Sequence, residues 1–232
     1  MSSKRRKARE VALKVLYQID LLADAEPSAC LTQVMVDEIY APALEPFALD
    51  LLRKHSPDLK PEDAREVADD LLGDLFQQGL ILTPDQKETL EEVYTAAFPD
   101  PAVLQTVKNR LRDKLKDYSA ILEFAGNLVD RTRKNLLRIN QIIEEFADNW
   151  SLERMASMDR AILRFAICEL LFFREIPINV TINEAVELAK KYSTEKSREF
   201  VNGILDKIHR QFNPDKDDPR DRKEPAPDPV KP

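Results

Sequence analysis

Two clusters of residues in this chain have the types and spacing to hold a nucleic-acid strand. The first is Lys4, Arg5, Arg6, Lys7 and Arg9. Lysine and arginine N–H groups make charge-assisted hydrogen bonds to phosphate oxygens, and such contacts position a strand without reading its bases. Cations at a helix N-terminus oppose the macrodipole. A basic start to a helix therefore either serves an anionic partner or merely solubilises that end. The second cluster is Lys196, Arg198 and Phe200 in the run E-K-S-R-E-F-V-N-G from Glu195 to Gly203. Basic residues interleaved with an aromatic suit single-stranded RNA, because every unpaired base offers a face for stacking. Tyr17 supplies another ring on the first helix. For Tyr17 and Phe200 the plainer alternative is core packing.

Catalytic signatures are missing from the sequence. It has no phosphate-binding glycine loop, no Cys/His metal spacing and no glycine-rich cofactor motif, so neither metal nor cofactor is expected. His55 and His209 are the only histidines. Paired carboxylates such as Glu144–Glu145 and Asp69–Asp70 read as solvated helix faces. Cys30 and Cys168 lie far apart in a chain without an apolar secretory leader, which predicts reduced thiols and a cytoplasmic setting. Cys168 falls in an apolar helix pattern and is expected to be buried. No apolar run approaches the roughly eighteen residues needed to cross a bilayer, so a membrane partner is not expected.

The formal charge of −7 conceals an uneven distribution. Residues 1–20 hold six Lys/Arg against two Asp/Glu, whereas residues 21–107 hold five against eighteen. Residues 108–212 return to nineteen against sixteen. One acidic block is thus set between basic segments, and it is the basic segments that suit a polyanion.

The elements that must carry these clusters are helical. Only four glycines occur, at Gly73, Gly79, Gly126 and Gly203, and apolar residues recur at spacings of three and four rather than two. The fold class is all-α. A first helix covers about Lys4 to Leu22, with Val11, Val15, Leu16 and Ile19 as its apolar stripe. Eight prolines between Pro27 and Pro101 divide the acidic block into short helices, with starts at Pro61 and Pro84. A long helix runs through Leu111, Leu115, Ile121, Leu122, Ala125, Leu128 and Val129, continuing or kinking towards Phe146. Another, apolar on most faces, runs from Met158 or Asp159 to about Arg174 and should lie centrally. Thr181 and Glu184 fit a capping box for the next helix. The last begins near Thr194 and ends before Pro214. Within it, Gly203 costs about 1 kcal/mol relative to alanine, which a close helix crossing would explain. The Pro-, Asp- and Lys-rich residues 213–232 read as a disordered tail.

The motifs R-R-K-A-R-E at Arg5–Glu10, N-W-S-L-E-R at Asn149–Arg154, M-D-R-A-I-L-R at Met158–Arg164, I-N-E-A-V-E-L-A-K at Ile182–Lys190 and F-V-N-G-I-L-D at Phe200–Asp206 occur in an order and spacing that resembles the NusB family of transcription antitermination factors. The resemblance covers residues 3–22 and about 118–210. It implies an all-helical bundle that binds boxA-like single-stranded RNA, pairs with the ribosomal protein NusE, and acts in an antitermination complex on RNA polymerase. The RNA surface it implies comprises Arg5, Arg6, Lys7, Arg9 and Tyr17 with Lys196, Arg198 and Phe200. The NusE face it implies lies at the helix that begins with Asp159 and Arg160. In the family an acidic residue often stands where this chain has Lys196, and the link after the first helix is short. The expected organisation is therefore a NusB-like N-terminal helix at 1–23, an acidic helical insertion at 24–105, the remaining NusB-like helices at 106–212 and the tail at 213–232. Two other readings are a helical scaffold that binds only proteins and, ranked below it, an accessory domain related to those of ribosomal RNA methyltransferases.

Overall fold

The computed structural model describes residues 3–22, 25–55, 57, 60, 64, 67–68, 98, 100–148 and 150–212. The expected helix starts at Pro61 and Pro84 and the expected tail at 213–232 lie outside these residues. Among the described residues the secondary structure is helical, without a strand. The chain divides into two compact units. One takes Ala12–Ala25 and the chain from Ala125 onward; the other takes Ser2–Val11 and Glu26–Phe124. Helix α1 (Ser3–Leu21) thus gives its first turns to one unit and its remainder to the other.

In the unit built around Glu26–Phe124, α2 (Pro27–Met35) opens on Glu26, whose side chain accepts a hydrogen bond from the Ala29 amide at 2.9 Å. Pro27 stands where the missing N–H costs nothing. A π-helical turn at Val36–Tyr40 leads into α3 (Ala41–His55). Pro46 lies inside α3 rather than ending it, so proline punctuates this region less strictly than its sequence suggests. Leu44, Ala48, Leu51 and Leu52 are buried along α3, and that apolar stripe holds the helix through the lost hydrogen bond. Helix α4 (Pro101–Lys116) repeats the device at its start, with Asp100 accepting from the Ala102 amide at 2.9 Å. It packs on α3, burying Val107 and Leu111.

The long helix expected from Leu111 to Val129 is broken. α4 ends at Lys116 and α5 (Ser119–Lys134) begins three residues later. The last turn of α4 tightens, with the Asp117 and Tyr118 amides donating to the carbonyls of Lys114 and Leu115. The Asp117 carbonyl, which a continuous helix would offer to residue 121, instead accepts from Lys4 Nζ at 2.9 Å. The Tyr118 ring meets Tyr40 edge-on at 6.2 Å. A second break falls at Asn135, before α6 (Leu136–Phe146).

The other unit is centred on α7 (Ser157–Phe172), reached through a single 3-10 turn at Leu152–Arg154. Every residue from Ala161 to Glu169 is buried, as expected of a helix apolar on most faces. Burying side chains such as Ile162, Leu163, Phe165 and Ile167 contributes about 1.5–3 kcal/mol each. α6, α8 (Ile178–Tyr192) and α9 (Glu195–Phe212) surround it.

Two local expectations fail in this unit. α8 begins directly after Pro177, whose carbonyl accepts from the Val180 and Thr181 amides, so Thr181 lies one turn inside the helix. Its hydroxyl does not cap; it donates to Glu169 Oε1 of α7 at 2.6 Å, fully buried. Gly203 is not at a helix crossing either. A Cβ at that position would meet nothing within 4 Å.

Candidate nucleic-acid interface

The N-terminal cations belong to the unit built around Glu26–Phe124 and are treated unequally by it. Arg5 and Arg6 are exposed on the first turns of α1. The Arg5 guanidinium lies 5.8 Å from the centre of the Phe124 ring, a cation–π distance that leaves its outer N–H groups accessible. Lys7 is half-buried, with Glu10 and Glu38 carboxylates 3.4 and 3.6 Å from its Nζ. Lys4 is committed to the Asp117 carbonyl. Arg9 is 0% exposed, with its guanidinium 5.5 Å from the centre of the Phe124 ring. As placed it builds the helix into its unit and does not face a strand at the surface. Of the run, Lys4, Arg5 and Arg6 are thus exposed, Lys7 is half-buried and Arg9 is buried.

The remaining residues belong to the unit centred on α7. Tyr17 is half-buried on the second part of α1. Lys196 and Arg198 are exposed in the first turn of α9. Phe200 comes next, half-buried, with its ring meeting Trp150 edge-on at 6.1 Å and 62°. Trp150 itself is 48% exposed, and the Arg154 guanidinium lies 5.3 Å from its ring centre. The turn after α6 is tied to α9 by an ion pair between Asp148 and Lys207. Ser197, buried between the exposed cations Lys196 and Arg198, donates to Asp159 Oδ2 at 2.8 Å and is itself joined to Ser193 and Thr194 through hydroxyl contacts of 2.9 and 2.8 Å. This short polar string fixes where α9 starts, and so where Lys196 and Arg198 project.

Asp159 and Arg160 are engaged within the same unit. Asp159 is only 7% exposed; its Oδ2 takes the Ser197 hydroxyl and its Oδ1 makes no hydrogen bond. Arg160 donates through Nε to Asp20 Oδ2 at 2.9 Å and through Nη1 to the Leu152 carbonyl at 2.6 Å. Arg164 also pairs with Asp20 and donates to Asn140 Oδ1 at 3.0 Å. Burial raises the Asp20 pKa, but the hydrogen bonds and charges of Arg160 and Arg164 outweigh it and hold the carboxyl below its ordinary value.

The sequence does not single out Trp150 and Arg154 as contact residues, because N-W-S-L-E-R reads only as a turn between helices. The available signal is that the chain's single tryptophan stands at a turn. Among the described residues no group of three or more His, Cys, Asp or Glu is placed to hold a metal, and no helix is long and apolar enough to cross a membrane.

Against known proteins, the profile of the NusB family matches residues 62–210. The transcription antitermination protein NusB of Natranaerobius thermophilus is 50% identical over 91 residues, covering 39% of this chain and 66% of that protein. NusB of Thermodesulfovibrio yellowstonii is 50% identical over 93 residues, 40% of this chain and 62% of the relative. NusB of Salinibacter ruber is 37% identical over 123 residues, 53% and 77%. The match thus spans a little under two thirds of the length of the first two relatives. Among solved structures, the antitermination factors NusB and NusE in complex with dsRNA include a chain with TM-score 0.50 and 21% identity, over 91% of this chain and 99% of that one. A plectonemic RNA supercoil structure includes another, with TM-score 0.51 and 21% identity over 91% and 97%. These two show likeness of fold. With the profile covering more than half of its length, the chain belongs to the NusB family.

Proposed function

We propose that this protein is an RNA-binding antitermination factor that takes boxA-like single-stranded RNA together with the ribosomal protein NusE, in a cytoplasmic complex on RNA polymerase. The observation that carries this reading is the start of α9, whose first turn exposes Lys196 and Arg198 and whose next turn carries the half-buried Phe200 ring, one turn on from Lys196. Cations for phosphate next to a ring for a base are what single-strand binding without catalysis requires. Arg5, Arg6 and Lys7 add phosphate contacts and Tyr17 adds a further ring, while buried Arg9 supports the helix that presents them. The name carried by the relatives supports the antitermination reading, and one structural neighbour of like fold is a NusB in complex with NusE and a double-stranded RNA, which supports a NusE partner and RNA binding in general. The NusE face is assigned to the start of α7. There buried Asp159 holds Ser197 and Arg160 holds the preceding turn, so the two residues shape that face from within. Residues 24–105, as an acidic insertion, stand outside the RNA contacts because their charge repels phosphate.

The test is the binding of a labelled boxA-like RNA and a scrambled one, each with and without NusE, across a salt series. Neutralising five phosphates through Arg5, Arg6, Lys7, Lys196 and Arg198 gives a log–log salt slope of about −3.5. Binding should tighten when NusE is present and favour boxA over the scramble. Equal affinity for both RNAs under all conditions refutes the proposal.

A further inference from the structure

We propose that Trp150, together with Phe200 and the bare turn of α9 at Gly203, forms a stacking shelf for an unpaired base of a single-stranded RNA. This rests on the reading of the protein as an RNA binder and extends it to a residue outside the expected contact set.

Three observations within the unit centred on α7 support it. Trp150 is an exposed large aromatic that remains fixed by its neighbours: Phe200 meets it edge-on and Arg154 lies over its ring. A ring held this way is preorganised, so a base can stack on it without first ordering a mobile side chain. Next, Lys196, Phe200, Gly203 and Lys207 stand at i, i+4, i+7 and i+11 on α9, and so share one face of that helix. That face flanks the buried stripe of Val201, Ile204, Leu205 and Ile208. It carries exposed Lys196 one turn before Phe200, while Lys207 at its other end is paired with Asp148. Finally, the glycine has no internal explanation. It costs helix stability, yet a side chain there would meet nothing within 4 Å. A base stacked on the Trp150 ring would meet Phe200 at its edge, and the bare turn one turn further along α9 leaves room for the strand's backbone to approach.

The charges decide the class of occupant. Arg154 lies over the Trp150 ring and exposed Lys196 stands one turn before Phe200 on α9, and Arg154 already shows the ring–cation geometry that a base and its phosphate would extend. A polyanion with flat apolar bases satisfies both features at once.

Trp150 is the chain's single tryptophan, so its fluorescence reports on this shelf alone. The experiment titrates the full chain with NusE against a fluorescein-labelled boxA-like RNA, following RNA anisotropy and tryptophan emission in parallel. The variants are Trp150→Ala and Trp150→Phe, with thermal melting of each. The expected result is emission quenching that saturates along with anisotropy. Trp150→Ala should bind about tenfold weaker or worse, and Trp150→Phe should keep most of the affinity. If Trp150→Ala fails to fold, quenching and the phenylalanine variant decide the matter. Normal anisotropy with unchanged emission overturns the shelf while leaving RNA binding standing. So does a Trp150→Ala protein that binds as the parent does. Emission that responds to NusE alone and not to RNA assigns the surface to a protein and overturns the proposal. No anisotropy change with any RNA refutes the RNA-binding reading itself, and the shelf falls with it.

Discussion

Replacing Asp20 with asparagine removes one charge from a buried cluster while keeping the shape of the side chain. Asp20 accepts from Arg160 through Nε and Nη2 and from Arg164 through Nη1, with all three side chains 11–15% exposed. Hydrogen bonds to charged groups contribute about 1.5–3 kcal/mol each, and stripping one partner from a buried ion pair costs about 3–5 kcal/mol. The loss is tempered because the arginines keep other acceptors. Arg160 retains the Leu152 carbonyl, and Arg164 retains Asn140 Oδ1. The asparagine carbonyl also replaces one contact. Asp20→Asn should therefore destabilise the fold by about 2–4 kcal/mol, read as a lower urea midpoint at an unchanged slope. The parent should also carry an acid signature that the variant lacks. Because the native Asp20 pKa lies below the ordinary 3.8, the unfolded chain takes up this proton at a higher pH than the native protein does. The stabilisation is complete above about pH 4 and fades as pH falls through the lower native value. A loss under 1 kcal/mol, or an acid limb equally steep in the variant, would refute the idea that Asp20 holds the two arginines.

Gly203→Ala should stabilise the protein by about 0.5–1 kcal/mol, since it removes glycine's cost in an exposed helix without meeting a neighbour; a lower melting temperature would contradict the open surroundings. Burial pushes the Cys168 thiol up to about 11, while Cys30 is half-buried. A thiol reagent at neutral pH should therefore label Cys30 in the folded protein and reach Cys168 only on unfolding, as counted by mass spectrometry; rapid native labelling of both would contradict the burial.

The sequence disclosed those features that local patterns determine. The apolar surround of α7 and the limits of α1 and α9 come from periodicity, because a helix must bury its apolar residues wherever they recur. What it hid depends on distant partners. The break at Asp117 needs Lys4 to take a carbonyl and Tyr40 to receive the Tyr118 ring, and neither is visible in a local window. Thr181 and Glu184 have the spacing of a capping box, but Pro177 starts the helix earlier and Glu169 claims the hydroxyl. Of the candidate contacts, the exposed positions of Arg5, Arg6, Lys196 and Arg198 agree with their charge. Arg9 has the same charge and is buried against Phe124, because its position on the helix turn, rather than its chemistry, decides which way it faces. Trp150 becomes legible only once Phe200, fifty residues on, is seen beside it.

The buried contact from Thr181 to Glu169 bears on how two greasy helices choose their alignment. Leucine, isoleucine and alanine are interchangeable enough that apolar helix faces pack acceptably in several offsets. One donor and its acceptor are not interchangeable. Sliding α8 along α7 by a turn, about 5.4 Å, would carry the hydroxyl out of reach and leave polar atoms in a dry interior, at a cost of about 1–3 kcal/mol. The pair works like the notch on a key: it adds little grip of its own, yet it rejects the offsets that hydrophobic burial alone would accept, and so sets where the end of α8 delivers the chain to the first turn of α9.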